Sequence, residues 1–240
     1  MKIKTFEQTD ELDRYAADRF AGLLDAKPGA VLGLATGSTP IGIYEKIIAK
    51  HARGEISFRR ATTFNLDEYV GLPPEHPQSY AYFMRDKLFG SIDLPPGGAN
   101  IPSGVAADLA AECARYDRLL AERPIDLQLL GLGHNGHIGF NEPDHALQGG
   151  THVVRLRENT REANARFFGS MDEVPKQAIT MGIGSILKVR AILLVVKGAD
   201  KAEIVRQALA GPITTECPAS LLQTHADVTV LVDQAAGRLL

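Results

Sequence analysis

Short runs rich in strand-forming, mostly apolar residues alternate along the chain with longer stretches whose apolar residues recur every three or four positions. Runs of the first kind occupy Val31–Leu34, 61–65, 125–130, 152–156, 191–196 and 228–232. Continuous hydrophobicity over a few residues predicts strands buried on both faces, as in a mainly parallel sheet covered by helices. Helical spacing is clearest over 10–25 (Leu12, Tyr15, Ala16, Phe20, Leu23, Leu24) and 40–50 (Ile41, Tyr44, Ile47, Ile48). Further helices are predicted near 78–89, 106–121, 159–168 and 200–210. Strand and helix alternate from end to end, which predicts an open α/β fold. No Ser/Gly-rich linker, composition break or repeat divides the sequence, so residues 1–240 are expected to form one domain. In such folds ligands gather beyond the carboxyl ends of the strands. The residues that follow each strand are therefore the first place to look for chemistry.

Charge and cysteine content narrow the function classes. The 26 Lys and Arg residues against 29 Asp and Glu leave a net charge of −3, with no basic cluster. A nucleic-acid partner is not expected. Two cysteines, Cys113 and Cys217, allow no disulfide framework, and no C-x-x-C metal knuckle occurs. Both read as packing residues. The polar opening has no apolar signal-peptide core, and the longest aliphatic run is far too short to cross a bilayer. A soluble, cytoplasmic protein without a membrane partner is expected.

Four strand ends carry candidate chemistry. After the first run comes Thr36-Gly37-Ser38-Thr39-Pro40, with Pro40 placed as a first helical residue and Ser38 or Thr39 as its N-cap. The segment reads either as a well-capped helix or as a cradle for a small phosphate, and it is not a Walker A loop. After the second run come Asp67 and Glu68, either a solvated acidic turn or a place for a general base. The third segment, LGLGHNGHIGFNEP at 130–143, matches G-x-G-x-x-G at Gly131, Gly133 and Gly136. Gly139 and Pro143 interrupt the helix that a dinucleotide site needs, so no nicotinamide is expected. His134 and His137 lie three apart rather than four, so these histidines with Glu142 and His145 make a poor metal set. What remains is a sharply folded loop presenting an imidazole and a carboxylate, suited to proton transfer. The fourth segment is basic: Arg166 borders the pair Phe167-Phe168, and Lys201 follows the run at 191–196. Either is an ordinary solubilising charge, or together they complete an anion site.

Taken together and in order, these segments resemble the glucosamine-6-phosphate deaminase (glucosamine-6-phosphate isomerase) family. The resemblance covers nearly the whole chain: LGLATGSTP at 32–40, TTFNLDEYVGL at 62–72, HPQSY at 76–80, LGLGHNGHIGFNEP at 130–143, TREANARFF at 160–168, VPKQAITMGIGSIL at 174–187 and KGADKA at 197–202. It implies a Rossmann-like three-layer α/β sandwich with a mainly parallel sheet. It also implies conversion of D-glucosamine 6-phosphate and water to D-fructose 6-phosphate and ammonia, in amino-sugar catabolism, without cofactor or metal. By motif position, Asp67 is implied as the base at C2, His137 as the proton carrier for ring opening and Glu142 as its orienting carboxylate. Asn135 is implied to position that apparatus. Thr36, Gly37, Ser38, Thr39, Arg166 and Lys201 fall where the family holds the substrate phosphate.

Two departures qualify the resemblance. Many longer members have Asp in place of Asn135, whereas shorter bacterial members tend to have Asn. Longer members also bind an allosteric sugar phosphate through basic residues after the FNEP segment, where this chain offers only Arg155 besides histidines. A non-allosteric form, monomeric or a small homo-oligomer, is implied, with the 240 residues taken up by the catalytic domain. Two other functions share these features in part. A 6-phosphogluconolactonase has a related glycine-rich loop, but its usual GxGxDGHxASLFP pattern departs from GHIGFNEP. A non-catalytic sugar-phosphate sensor would lack a use for Asp67 together with the His137–Glu142 pair.

Overall fold

The strands of the computed structural model are β1 (Lys2–Phe6), β2 (Val31–Leu34), β3 (Thr62–Asn65), β4 (Asp67–Tyr69), β5 (Ala99–Asn100), β6 (Leu127–Leu130), β7 (His152–Arg155), β8 (Gln177–Thr180), β9 (Ile192–Val196) and β10 (Val228–Asp233). The helices are α1 (Thr9–Ala26), α2 (Ile41–Ala52), α3 (Tyr80–Lys87), α4 (Leu109–Glu122), α5 (Glu158–Ala165), α6 (Ile183–Ile186) and α7 (Ala202–Ala210). The structure describes residues 1–166 and 168–240, with Asn159 and Ala163 described by backbone only. Phe167, one of the two aromatic residues expected beside Arg166, lies outside the described residues.

Seven strands form the main sheet in the order β1-β10-β9-β6-β2-β3-β5, and every neighbouring pair is parallel. Every residue of β6, β9 and β10 is buried, which requires cover on both faces. The arrangement is the Rossmann-like three-layer sandwich, with helices flanking a parallel sheet. Leu12, Phe20, Tyr44 and Ile47 of α1 and α2 pack into the same core as Leu32, Leu130 and Leu194 of the sheet. Each such side chain stabilises the fold by about 1.5–3 kcal/mol on burial. Among the described residues no helix is long and apolar enough to cross a membrane.

Two local expectations are corrected. The run at 152–156 does contain a strand, but β7 joins a second, antiparallel sheet in the order β4-β8-β7. Its residues are half-buried and Arg155 is exposed, so it lacks the two-sided cover of the main sheet. Neither Ser38 nor Thr39 caps α2. The helix begins at Ile41 after Pro40, which already has helical dihedrals (φ −82°, ψ −8°) and whose carbonyl accepts the first bond from Tyr44 N–H. The two hydroxyl side chains are thereby left to the space above the sheet.

Candidate active site

From β2 the chain steps outward through β3 to β5, then returns to lay β6 on the other side of β2. Where strand order reverses, the connections diverge and a crevice opens above the carboxyl ends. A cleft of about 340 Å³ lies there. Thr36, Gly37, Ser38 and Thr39 line it from the turn after β2, Asp67 from the start of β4, Asn135 and His137 from the loop after β6. Arg166, at the end of α5, and Lys201, just before α7, complete the lining. Glu142 is buried behind this wall and joins it through hydrogen bonds.

The adjacent carboxylates of β4 have separate tasks. Glu68 accepts hydrogen bonds from the backbone N–H groups of Tyr69, Tyr80 and Ala81 at 2.8–2.9 Å, so it anchors the start of α3. Ser79 adds the N-cap of that helix, its Oγ accepting from Tyr82 N–H at 3.0 Å. Asp67 is only 6% exposed, and among the described residues none donates a hydrogen bond to its carboxylate. Burial, reinforced by the charge of Glu68, pushes its pKa up to about 8. A carboxylate in that range is matched to taking a proton near neutral pH.

The glycine-rich loop holds a chain of polar contacts. Glycine is needed at Gly133 because a Cβ there would collide with the His137 ring. His137 Nδ1 lies 2.6 Å from Asn135 Oδ1, and Asn135 Nδ2 donates to Glu142 Oε2 at 2.6 Å. Thr160 Oγ1 donates to the other oxygen, Glu142 Oε1, at 2.5 Å. A carboxylate only accepts, so it fixes the Asn135 amide with its oxygen toward the imidazole. Nδ1 of His137 then carries the proton, and Nε2 is left as the acceptor. The direct imidazole–carboxylate pair read from the sequence becomes a longer contact of 3.7 Å, with Asn135 between the two. Burial lowers the His137 pKa, opposed by the Glu142 charge and helped by Lys201 and His134, so the neutral ring is favoured.

Other residues of the same cleft are suited to an anion. Among the described residues no acceptor takes the amide protons of Gly37, Ser38 or Thr39, and such groups before a helix attract negative charge. Lys201 is half-buried and its Nζ donates to Leu132 carbonyl at 2.8 Å. Burial first, then the nearby Arg166 charge, lowers its pKa to about 8, against the pull of Asp200. A dianion between these cations relieves their repulsion and restores the charge on Lys201. Proton-transfer groups and an anion pole in one cleft describe a site for a small phosphorylated molecule.

Comparison with known proteins agrees with that description. The family described as glucosamine-6-phosphate isomerases/6-phosphogluconolactonase is matched over residues 5–231. The chain belongs to this family. It is 51% identical over 232 residues to the glucosamine-6-phosphate deaminase of Lachnoclostridium phytofermentans, a match covering 96% of this chain and 98% of the relative. To the protein of the same name from Thermoanaerobacter pseudethanolicus it is 48% identical over 241 residues, covering 100% and 95%. It is also 50% identical to the solved structure of a monomeric glucosamine-6-phosphate deaminase, with a TM-score of 0.97 and complete coverage of both chains.

Within this member of the glucosamine-6-phosphate isomerase family, Asn135 has a physical rationale. Its amide accepts from an imidazole N–H and donates to a carboxylate at once. An aspartate there would set two carboxylates against each other unless a further proton were bound. Two participants escape sequence reasoning. Thr160, on α5, supports Glu142 from eighteen residues away. Tyr80 lines the cleft and stacks on Phe140 at 6.1 Å between centroids. The HPQSY segment was a signal for Tyr80, though nothing in it assigns the residue a place.

Proposed function

We propose that the chain is a glucosamine-6-phosphate deaminase, a hydrolytic isomerase-deaminase of amino-sugar catabolism acting in the cytoplasm as a monomer. The observation that carries this reading is the pairing, in one cleft, of the buried Asp67 carboxylate with the His137–Asn135–Glu142 chain. Both are needed for an aldose that arrives as a closed ring. Neutral His137 takes the anomeric hydroxyl proton at Nε2 and returns it to the ring oxygen, opening the ring. Asp67 then removes the proton at C2, next to the aldehyde, and delivers it to C1 of the enolamine. The resulting imine at C2 adds water and expels ammonia. Carbon oxidation states exchange between C1 and C2 with no net redox change, so the scheme requires no nicotinamide. The anion pole holds the 6-phosphate and thereby fixes the register of C1 and C2 over the two proton carriers.

Presented separately with glucosamine 6-phosphate and 6-phosphogluconolactone, the purified protein is expected to turn over the first alone. Lactone hydrolysis without ammonia release would replace the deaminase reading with a lactonase one. Binding of both without turnover would make the chain a sensor. Lys201→Ala is expected to raise KM roughly 10- to 100-fold, the factor for one charged hydrogen bond of about 1.5–3 kcal/mol, while kcat changes little. Steady-state kinetics checks this, and an unchanged KM would remove Lys201 from the phosphate site.

The dependence on pH follows from the same residues. Asp67 must be ionised to accept a proton, so kcat/KM climbs as pH rises toward its pKa of about 8. Lys201 must be charged to hold phosphate, so binding weakens as pH rises past its own value of about 8. A bell-shaped profile centred close to these values is expected. Lys201→Arg stays charged throughout, so it should move the alkaline limb upward and leave the acid limb in place.

A further inference from the structure

We infer that the partly buried ion pair Asp13–Lys197 is a positioning device that holds the turn Thr36–Thr39 in its phosphate-binding shape. Asp13 lies on α1 and is 7% exposed, and Lys197 immediately follows β9. Lys197 Nζ meets Asp13 Oδ1 at 2.5 Å, and the same Nζ donates to the Thr39 carbonyl at 3.1 Å. In the sheet, β6 separates β9 from β2. Lys197 therefore reaches across the end of β6 to grasp the last peptide carbonyl before Pro40. The Asp13 carboxylate sits so close to Gly42, in the first turn of α2, that a Cβ there would overlap it. The pair thus braces the turn and the helix start together, from behind.

Neither side chain lines the cleft, so neither touches a ligand bound there. Stability alone explains the pair poorly, since an ion pair commonly contributes little whether exposed or buried. Geometry explains it better. With the Thr39 carbonyl drawn back toward Lys197, the amides of Gly37, Ser38 and Thr39 are left to the cleft. The same connection after β9 supplies Lys201 to the anion pole, so one segment fixes both the turn and the cation that faces it. Because Asp13 balances the Lys197 charge, the effect is one of shape, not of added positive potential. The inference rests on the reading of this turn as the holder of a sugar phosphate.

The test compares wild-type protein with the double variant Asp13→Leu/Lys197→Met, which leaves no unpaired buried charge, and with Lys197→Arg. Calorimetry with inorganic phosphate and kinetics with glucosamine 6-phosphate supply the two readouts. The double variant is expected to show a phosphate Kd and a KM raised by about 3- to 10-fold, the factor for a lost positioning hydrogen bond, with kcat within about twofold. Lys197→Arg, which keeps the charge and the reach, should recover most of the affinity. Should the double variant fail to fold, Asp13→Asn, expected to weaken phosphate in the same direction, becomes the deciding variant. Unchanged Kd and KM, or a kcat that falls as far as KM rises, would overturn the clamp. Wild-type protein that binds phosphate but releases no ammonia overturns the deaminase reading while leaving the phosphate comparison decisive. Wild-type protein that binds neither phosphate nor sugar phosphate overturns both.

Discussion

Asp67→Asn is expected to lower kcat on glucosamine 6-phosphate by about 10²–10⁴-fold, the range for loss of a positioned general base. KM should stay nearly constant, because the proposed holders of the 6-phosphate are the Thr36–Thr39 turn and Lys201 and not Asp67. The amide fills the same space but cannot take the C2 proton, so exchange of that proton with solvent should stop as well. A second signature separates this loss from unfolding. Asp67 has a folded-state pKa of about 8, far above its ordinary 3.8. Its contribution to stability is therefore fully present below pH 3.8 and lost as pH rises through about 8. Asn does not titrate, so the variant should melt no lower than wild type at neutral pH and gain most at pH 8 and above. Thermal melts across pH check the sign, and a variant that melts earlier at pH 8 would show that the buried carboxylate is not destabilising. Such an exchange of stability for activity is common where a site must bury a reactive group.

His137→Gln should cost a similar factor, about 10²–10⁴-fold in kcat, for a different reason. Glutamine can occupy the loop and hydrogen-bond Asn135, but it cannot shuttle a proton between the anomeric hydroxyl and the ring oxygen. The loss should be confined to ring opening. An acyclic amino-alditol phosphate, which needs no opening, should bind the variant as tightly as wild type. Equal loss of affinity for cyclic and acyclic ligands would assign His137 to binding instead. Asn135→Leu tests the tautomer argument: it leaves the imidazole but removes the acceptor at Nδ1, so kcat should fall while KM for the phosphate holds.

How much of this was legible in the residues depends on the kind of burial. β2, β6, β9 and β10 stand out as mostly apolar runs because helices cover them on both faces, and β3, Thr62–Asn65, stands out by its β-branched and aromatic residues. β1 escapes because Lys2-Ile3-Lys4 alternates along an exposed sheet edge. β4 escapes because it is three residues long and opens with two carboxylates, both buried. The switch point between β2 and β6 is a property of strand order, which no local pattern encodes. At the site, motif position brought Asp67, Asn135, His137 and Glu142 forward, yet the order of contacts among the last three could not be read. That order depends on how one loop folds over Gly133. Longer-range partners were out of reach. Thr160 meets Glu142 from α5, and Asp13 meets Lys197 across 184 positions of chain. Each of these residues is ordinary in its own neighbourhood, and only the fold gives it a neighbour to act on. Glu68 shows the converse: beside Asp67 it looks equally catalytic, and the structure commits it to three backbone amides.

The central claim is that this cleft isomerises and deaminates an amino-sugar phosphate by proton transfer alone. Proton NMR of wild-type protein with glucosamine 6-phosphate in D₂O, without added metal or nicotinamide, tests it most directly. Ammonia and fructose 6-phosphate should appear one for one as the sugar's C2 proton signal disappears. No ammonia, or ammonia without fructose 6-phosphate, would contradict the account.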